Sequence, residues 1–314
     1  MRSAAEHVVH VGYHKTASTW LQVCVFPRLG GIRYTDPLLR PFVTALSTAP
    51  DDGFGTDGVR ELRRQIAPFA DQRLLISHEG ISGSLWDGYG DGPRNAERLH
   101  SVLPDAEILI VVRRQDEMLR SIHAQYVNEG GTRSLADFVA GEKIEGSRFS
   151  LRHLEYDRLV GRYVELFGSE RIWVMPYEYL RARRADFLGD LCEAVGASLA
   201  SGVSNDWPNR SLSRSALLLL RTWNRLFRES RFNQHPLVRS LPGGRRMRNL
   251  LQGHLDSLLR AIARNKLAGR EEALLARAAA GFAESNRRLQ RFCRQPLVEW
   301  GYPLHESVVS PGKP

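Results

Sequence analysis

Hydrophobic and polar positions along the chain follow two periods, one of strands and one of helices. Four short runs read as strands: Val8, Val9 and Val11 before Gly12, then Arg73–Ser77, Glu107–Val112 and Arg171–Met175. The run EILIVV from Glu107 is apolar almost throughout, as in a strand buried on both faces. Helical spacing falls between the strands, over Asp57–Phe69, Arg94–Leu103, Asp116–Glu129, Leu135–Val139, Leu154–Phe167 and Arg184–Val195. Leu119, Ile122 and Tyr126 mark the inward stripe of the third helix, which Gly130-Gly131 ends. Trp20, Leu21, Cys24 and Phe26 predict a helix soon after the first strand, whereas Leu29–Pro50 is broken by Gly and Pro and has no clean period. From Ser211 the chain turns helical, with helices expected over Leu217–Phe227, about 249–265 and Arg270–Cys293.

Strands alternating with helices predict parallel pairing through right-handed crossovers. The expected fold is α/β: a three-layer parallel sheet flanked by helices, with a helical C-terminal portion. The expected organisation is a single domain over 1–314, with an α/β nucleotide-binding core over 8–213, a helical extension over 214–305 and a loose tail over 306–314. Ligands of such sheets bind beyond the carboxyl ends of the strands. Lys15, His78, Glu79, Arg113 and Tyr177 each follow a predicted strand within a few residues, so they are expected to meet at one site.

The formal charge of +9 over 314 residues favours acidic ligands or surfaces without choosing among them. Cys24, Cys192 and Cys293 are far apart and form no C-x-x-C pair, which argues against a disulfide framework or a zinc site. No run approaches a membrane span in length, and the first residues lack a signal-peptide core, so a cytoplasmic location is expected. No helix-turn-helix, zinc or RNA-recognition motif is present, and no nucleic-acid partner is expected.

The stretch after the first strand carries the clearest chemistry. Gly12 is followed by Tyr13, His14, Lys15, Thr16, Ala17, Ser18, Thr19, Trp20 and Leu21. The first N–H groups of a helix lack intrahelical partners and bear partial positive charge, so this turn suits an anion. Lys15 adds a full charge, and Thr16, Ser18 and Thr19 add hydroxyl donors. The spacing is not that of a Walker A loop, because His14 stands where the second glycine belongs.

Residues Tyr13–Leu21 instead resemble the 5′-phosphosulfate loop of sulfotransferases, roughly Y-P-K-[ST]-G-[ST]-T-W-L, with His14 in place of Pro and Ala17 in place of Gly. A second segment resembles the 3′-phosphate signature of the same family: Arg113, then Ser121 eight residues on, with Glu117 at the acidic position and Gln115 where Pro is common. Two further likenesses accompany these. Val174–Glu178 resembles the segment whose Tyr contacts adenine, here Tyr177, and Trp20 matches a position that stacks on adenine. Asn209–Ser213 sits where the family closes a loop over the 3′-phosphate, without the glycine-rich form.

The resemblance covers about residues 8–213 and implies a P-loop-like sulfotransferase fold. It implies 3′-phosphoadenosine 5′-phosphosulfate (PAPS) as sulfuryl donor, PAP as product and no metal. Lys15, Thr16, Ala17, Ser18, Thr19, Trp20, Arg113, Ser121 and Tyr177 would bind the nucleotide, with Lys15 stabilising charge on the bridging oxygen. The acceptor would be a hydroxyl or amine of a small molecule, glycan or lipid.

A general base must take the acceptor's proton, and His78 and Glu79 are adjacent candidates at the end of the second strand. Strand neighbours point to opposite faces, so one of the two is expected to reach the site. A nucleotide kinase and a non-catalytic polyanion-binding protein are the alternatives; the latter is motivated by Arg225, Arg228, Arg231, Arg239, Arg245, Arg246 and Arg248. A solvated face is the commonest meaning of such a run, and a flap over an anionic ligand is the functional one.

Overall fold

The computed structural model describes residues 7–35, 40–48, 54–87, 90–141, 144–204, 213–238 and 268–305. The strands are β1 (Val8–Gly12), β2 (Leu29–Gly30), β3 (Arg33–Tyr34), β4 (Leu74–His78), β5 (Glu107–Val112), β6 (Ile172–Pro176) and β7 (Ser198–Leu199). Five of them form one sheet in the order β3-β4-β1-β5-β6, and every pairing within it is parallel. β2 and β7 make a separate antiparallel pair. The expected parallel sheet flanked by helices is therefore present.

Every residue of β1 and β5 is buried, so both faces of the sheet centre are covered. That explains why these strands read as unbroken apolar runs rather than alternating ones. The one acid in β5, Glu107, is 4% exposed and receives Arg73 Nη2 at 2.5 Å. Arg73 thereby ends the β4 approach with an ion pair instead of extending the strand. The helix Tyr156–Phe167 packs on β5 and β6, and Arg184–Val195 packs on β5.

The chain divides into two compact units: Met1–Arg114 with His153–Pro208 and Phe282–Glu306, and Gln115–Arg152 with Asn209–Gly281 and Ser307–Pro314. The first unit holds the sheet. Its last segment is tied down by charge: Arg288 Nε donates to Asp157 Oδ2 at 2.6 Å, and the Ser285 hydroxyl donates to Asp157 Oδ1. Tyr302 donates its hydroxyl to Glu178 Oε2 at 2.9 Å, and Glu178 Oε1 accepts from the backbone N–H of Arg114 at 3.0 Å.

The second unit is helical. Arg214–Phe227 and Ala268–Ala280 pack on Gln115–Asn128. Asn224, fully buried, donates to the carbonyls of Val127 and Gly131 at 2.7 and 2.9 Å. Arg228 Nη1 donates to the Asn128 carbonyl at 2.5 Å, and Arg231 Nε donates to the Gly146 carbonyl at 2.9 Å. These two arginines thus stitch backbone within their own unit, while Arg239, Arg245, Arg246 and Arg248 lie outside the described residues. The helix expected near 249–265 also lies outside them. Among the described residues no helix is long and apolar enough to cross a membrane.

Candidate active site

The strand order brings the site to one place. β1 lies between β4 and β5, and the chain runs from β1 toward one edge, then crosses from β4 to β5 on the other side. In sheets of this kind ligands bind where the order reverses, beyond the carboxyl ends of the strands. Register fixes the details: Val11 pairs with His78 and Gly12 with Val111. Glu79 therefore comes level with the loop that leaves β1, and Arg113 follows two residues beyond the Gly12 partner.

The loop after Gly12 is shaped by two left-handed residues, Lys15 and Ala17, both with φ of 67°. A side chain at positive φ is strained by roughly 1–2 kcal/mol, and strain of this kind collects at ligand clamps. The glycine of the sulfotransferase-like pattern at position 17 has this physical reason. Thr16 holds the turn by donating its hydroxyl to the Tyr13 carbonyl at 2.6 Å. Gly12 itself has no room for a side chain: an added Cβ would lie 2.8 Å from Ser18 Oγ and 3.5 Å from Glu79 Cγ.

After the loop the chain makes one α turn (Ser18–Trp20), a π turn (Leu21–Val25) and a 3₁₀ turn (Phe26–Arg28). The regular helix expected here is thus wound unevenly, and π turns of this kind are frequent at functional sites. Pro27 lacks an N–H and contributes to the final tightening. Trp20 is packed as a core residue at 1% exposure. Its indole N–H donates to the Ser204 carbonyl at 3.2 Å, and Arg184 lies over its ring at 5.5 Å.

Arg113 joins the first loop to β5. Its Nη1 donates to the Lys15 carbonyl at 3.0 Å, its own carbonyl accepts the Tyr156 hydroxyl at 2.7 Å, and its guanidinium lies 4.8 Å from the centre of the Tyr177 ring. Tyr177 is half-buried at the end of β6. Lys15, Arg113 and Tyr177 therefore come together as their placement after strands suggests. Ser121 is buried on Gln115–Asn128 in the second unit. Of the loop over 209–213, only Ser213 is described; it caps the helix Arg214–Phe227 by accepting from the Ala216 N–H at 3.2 Å.

His78 and Glu79 take different parts. His78 turns back on its own chain, and its Nδ1 accepts the Gly80 N–H at 2.9 Å to cap the 3₁₀ turn Glu79–Ser82. Glu79 faces the loop instead. Its Oε2 lies 3.2 Å from His14 Nδ1. Burial raises the Glu79 pKa, while the Lys15 charge and a hydrogen bond from Ser18 pull it back. The Ser82 hydroxyl, 2.9 Å from the Gly12 carbonyl and 2.8 Å from the Glu79 carbonyl, fastens this turn to β1.

No protein-family model matches the chain, and no curated protein matches its sequence. Among solved structures it is similar to a sulfotransferase from Alicyclobacillus acidocaldarius, with 18% identity and a TM-score of 0.47 over 71% of this chain and 94% of that one. It is also similar to a mouse sulfotransferase complexed with PAP, with 15% identity and a TM-score of 0.37 over 86% and 89% of the two chains. A third similar structure is the sulfotransferase domain of a Synechococcus olefin synthase, with 11% identity and a TM-score of 0.39 over 88% and 95%.

What the site can do is carried by its own residues. Lys15 and Arg113 supply positive charge and donors for an anion at the mouth of the sheet. Glu79 supplies a carboxylate whose raised pKa suits it to accept a proton. His14 was visible in the sequence only as a departure from the family pattern; nothing local announces that it reaches a residue 65 positions away. His10 lies beneath the loop, fully buried, with Nδ1 2.7 Å from Ser77 Oγ; burial pushes its pKa down to about 3.

Proposed function

We propose that this protein transfers a sulfuryl group from PAPS to a hydroxyl or amine of a small-molecule, glycan or lipid acceptor. The observation that carries the reading is that Lys15 and Ser18 of the first sulfotransferase-like motif and Arg113 of the second converge with Glu79 where β1, β4 and β5 end.

PAPS supplies the sulfuryl group as substrate; the chain supplies everything else. Lys15, with the hydroxyls of Thr16, Ser18 and Thr19, would hold the phosphosulfate end, and Lys15 would offset charge as the S–O bond to the leaving phosphate breaks. Arg113 would bind the 3′-phosphate through its planar fork. Tyr177 is assigned the adenine contact. Trp20 would join it by exchanging Arg184 for the base. Glu79 would take the proton of the acceptor as its oxygen or nitrogen bonds to sulfur, leaving PAP and the sulfated product. His78, engaged as a cap, is not the base in this scheme. No step calls for a metal ion.

The test is incubation with isotopically labelled PAPS and a metabolite extract, read by mass spectrometry. A labelled sulfated product formed in step with PAP supports the proposal. Failure of the protein to bind PAP and to label any compound overturns it.

A further inference from the structure

The contact between His14 and Glu79 belongs to neither motif. Where the sulfotransferase-like pattern has Pro, with no side-chain donor, this chain places an imidazole against the candidate base. The two residues come from different elements, the loop after β1 and the turn after β4, so no local turn geometry requires them to meet.

We propose that His14 is a positioning residue: its Nδ1–H donates to Glu79 Oε2 at 3.2 Å, which orients the carboxylate and leaves Oε1 to take the acceptor's proton. The functional consequence rests on the sulfuryl-transfer reading above. The protonation states follow from chemistry. An ionised carboxylate only accepts, so the contact is a hydrogen bond only when Nδ1 carries the proton. Burial, then the charges of Lys15 and His78, pushes the His14 pKa down to about 4, so the ring is neutral at pH 7 and is a poor base itself. A neutral donor is what a base needs from its neighbour: it favours the carboxylate without supplying a competing charge.

Charged and polar groups from several elements face this pair. Lys15 and Ser18 act on Glu79 from the loop and the helix start. His78 acts on His14 from β4. His10, neutral, lies below from β1, its Cε1 3.4 Å from the place a Gly12 Cβ would occupy. Lys15 pulls the Glu79 titration down and burial pushes it up, and the His14 donor adds to the downward side.

Carbon-detected NMR on glutamate-labelled protein, with Glu79→Gln to assign the resonance, reads the Glu79 titration directly. His14→Ala is expected to move its midpoint to higher pH, and His14→Asn, which keeps a side-chain N–H donor, to move it back toward the parent. Removal of a side chain that merely filled space would admit water to Glu79 and leave the midpoint in place or move it to lower pH, because burial is what raises it. A His14→Ala midpoint that coincides with the parent's or lies below it overturns the proposal. Nitrogen spectra of the parent imidazole keep the test open should His14→Ala fold poorly. Nδ1 protonated at neutral pH, with a shift that follows the Glu79 titration, supports the proposal, and the Nε2–H tautomer overturns it. Calorimetry with PAP separates the two readings. A parent that binds no PAP overturns the donor assignment, and the same spectra still decide the His14–Glu79 pairing.

Discussion

The Arg113 guanidinium donates through Nη1 to the backbone carbonyl of Lys15 at 3.0 Å, so the two cations of the candidate site are tied to each other by the chain. Arg113 thus fixes a loop held at positive φ, and under the proposed function it also presents charge to an anion. Lys15→Ala removes a charge and leaves the backbone carbonyl that Arg113 holds, whereas Arg113→Ala also releases the loop. Each is expected to weaken PAP binding by 1.5–3 kcal/mol, about 10- to 150-fold. Arg113→Lys is expected to recover little, because an ammonium cannot serve a carbonyl and a phosphate as a planar fork does. Equilibrium dialysis against PAP checks this; parent-like affinity in both alanine variants would remove the cofactor assignment.

The turn after β4 predicts an asymmetry between neighbours. Glu79→Gln should lower kcat by about 10²–10⁴ with PAP affinity kept. His78→Ala should lose a cap, about 1 kcal/mol of stability, and little of kcat. Burial penalises the Glu79 carboxylate, so its folded pKa lies above the unfolded value. That penalty is absent at low pH and grows as pH rises through the folded pKa, so Glu79→Gln should also raise Tm at pH 7 and leave it unchanged near pH 3. Steady-state rates with any identified acceptor, and melting curves at the two pH values, test both halves.

Ala17 offers a conformational prediction. At φ of 67° it is strained, and glycine is not. Relief of about 1–2 kcal/mol less the added chain entropy leaves Ala17→Gly more stable by about 0.5 kcal/mol. Ala17→Val should be destabilising, because a β-branched residue is poorly tolerated there. Urea unfolding measures both, and a glycine variant weaker than the parent would contradict the assigned strain.

Burial lowers the pKa of His10 to about 3 and those of His14 and His123 to about 4, with Arg133, Arg221, Lys15 and His78 modulating the last two. The unfolded chain takes up these protons near pH 6.5, and the folded chain refuses them. Stability is therefore full above that pH and falls as pH drops toward 4, with a slope approaching about 1.4 kcal/mol per pH unit for each histidine. Urea titrations at pH 7, 6 and 5 should show the decline, and His10→Asn should flatten it by one proton's worth. A midpoint that holds steady from pH 7 to 5 would argue against these buried neutral rings.

The sheet was readable because Val8–Gly12 and Glu107–Val112 are buried on both faces and need no alternation. β3 was not: two residues, Arg33 and Tyr34, hydrogen-bond to β4 with no apolar run to mark them. The helix Arg40–Thr48 was hidden by the Gly and Pro around it. The long helical pattern from Arg270 breaks between Ala280 and Ala283, at Gly281, and its second half, with Tyr302, belongs to the sheet-bearing unit. Only contacts over more than a hundred positions, such as Arg288 with Asp157 and Tyr302 with Glu178, assign it there. Lys15, Arg113 and Tyr177 were legible as strand-end residues. The division of labour between His78 and Glu79 was not, because it is decided by the Gly80 N–H that His78 accepts.

Thermal unfolding with and without PAP tests most directly whether the loop from Gly12 to Trp20 and the Arg113 guanidinium form a site for PAPS. PAP at a hundred times its Kd should add about 2.7 kcal/mol to the folded state, the gain should survive chelation of divalent metals, and at the same PAP concentration Lys15→Ala should cut it to about 0.3–1.4 kcal/mol. A melting curve unmoved by PAP, or moved only by ATP with Mg²⁺, would contradict the account.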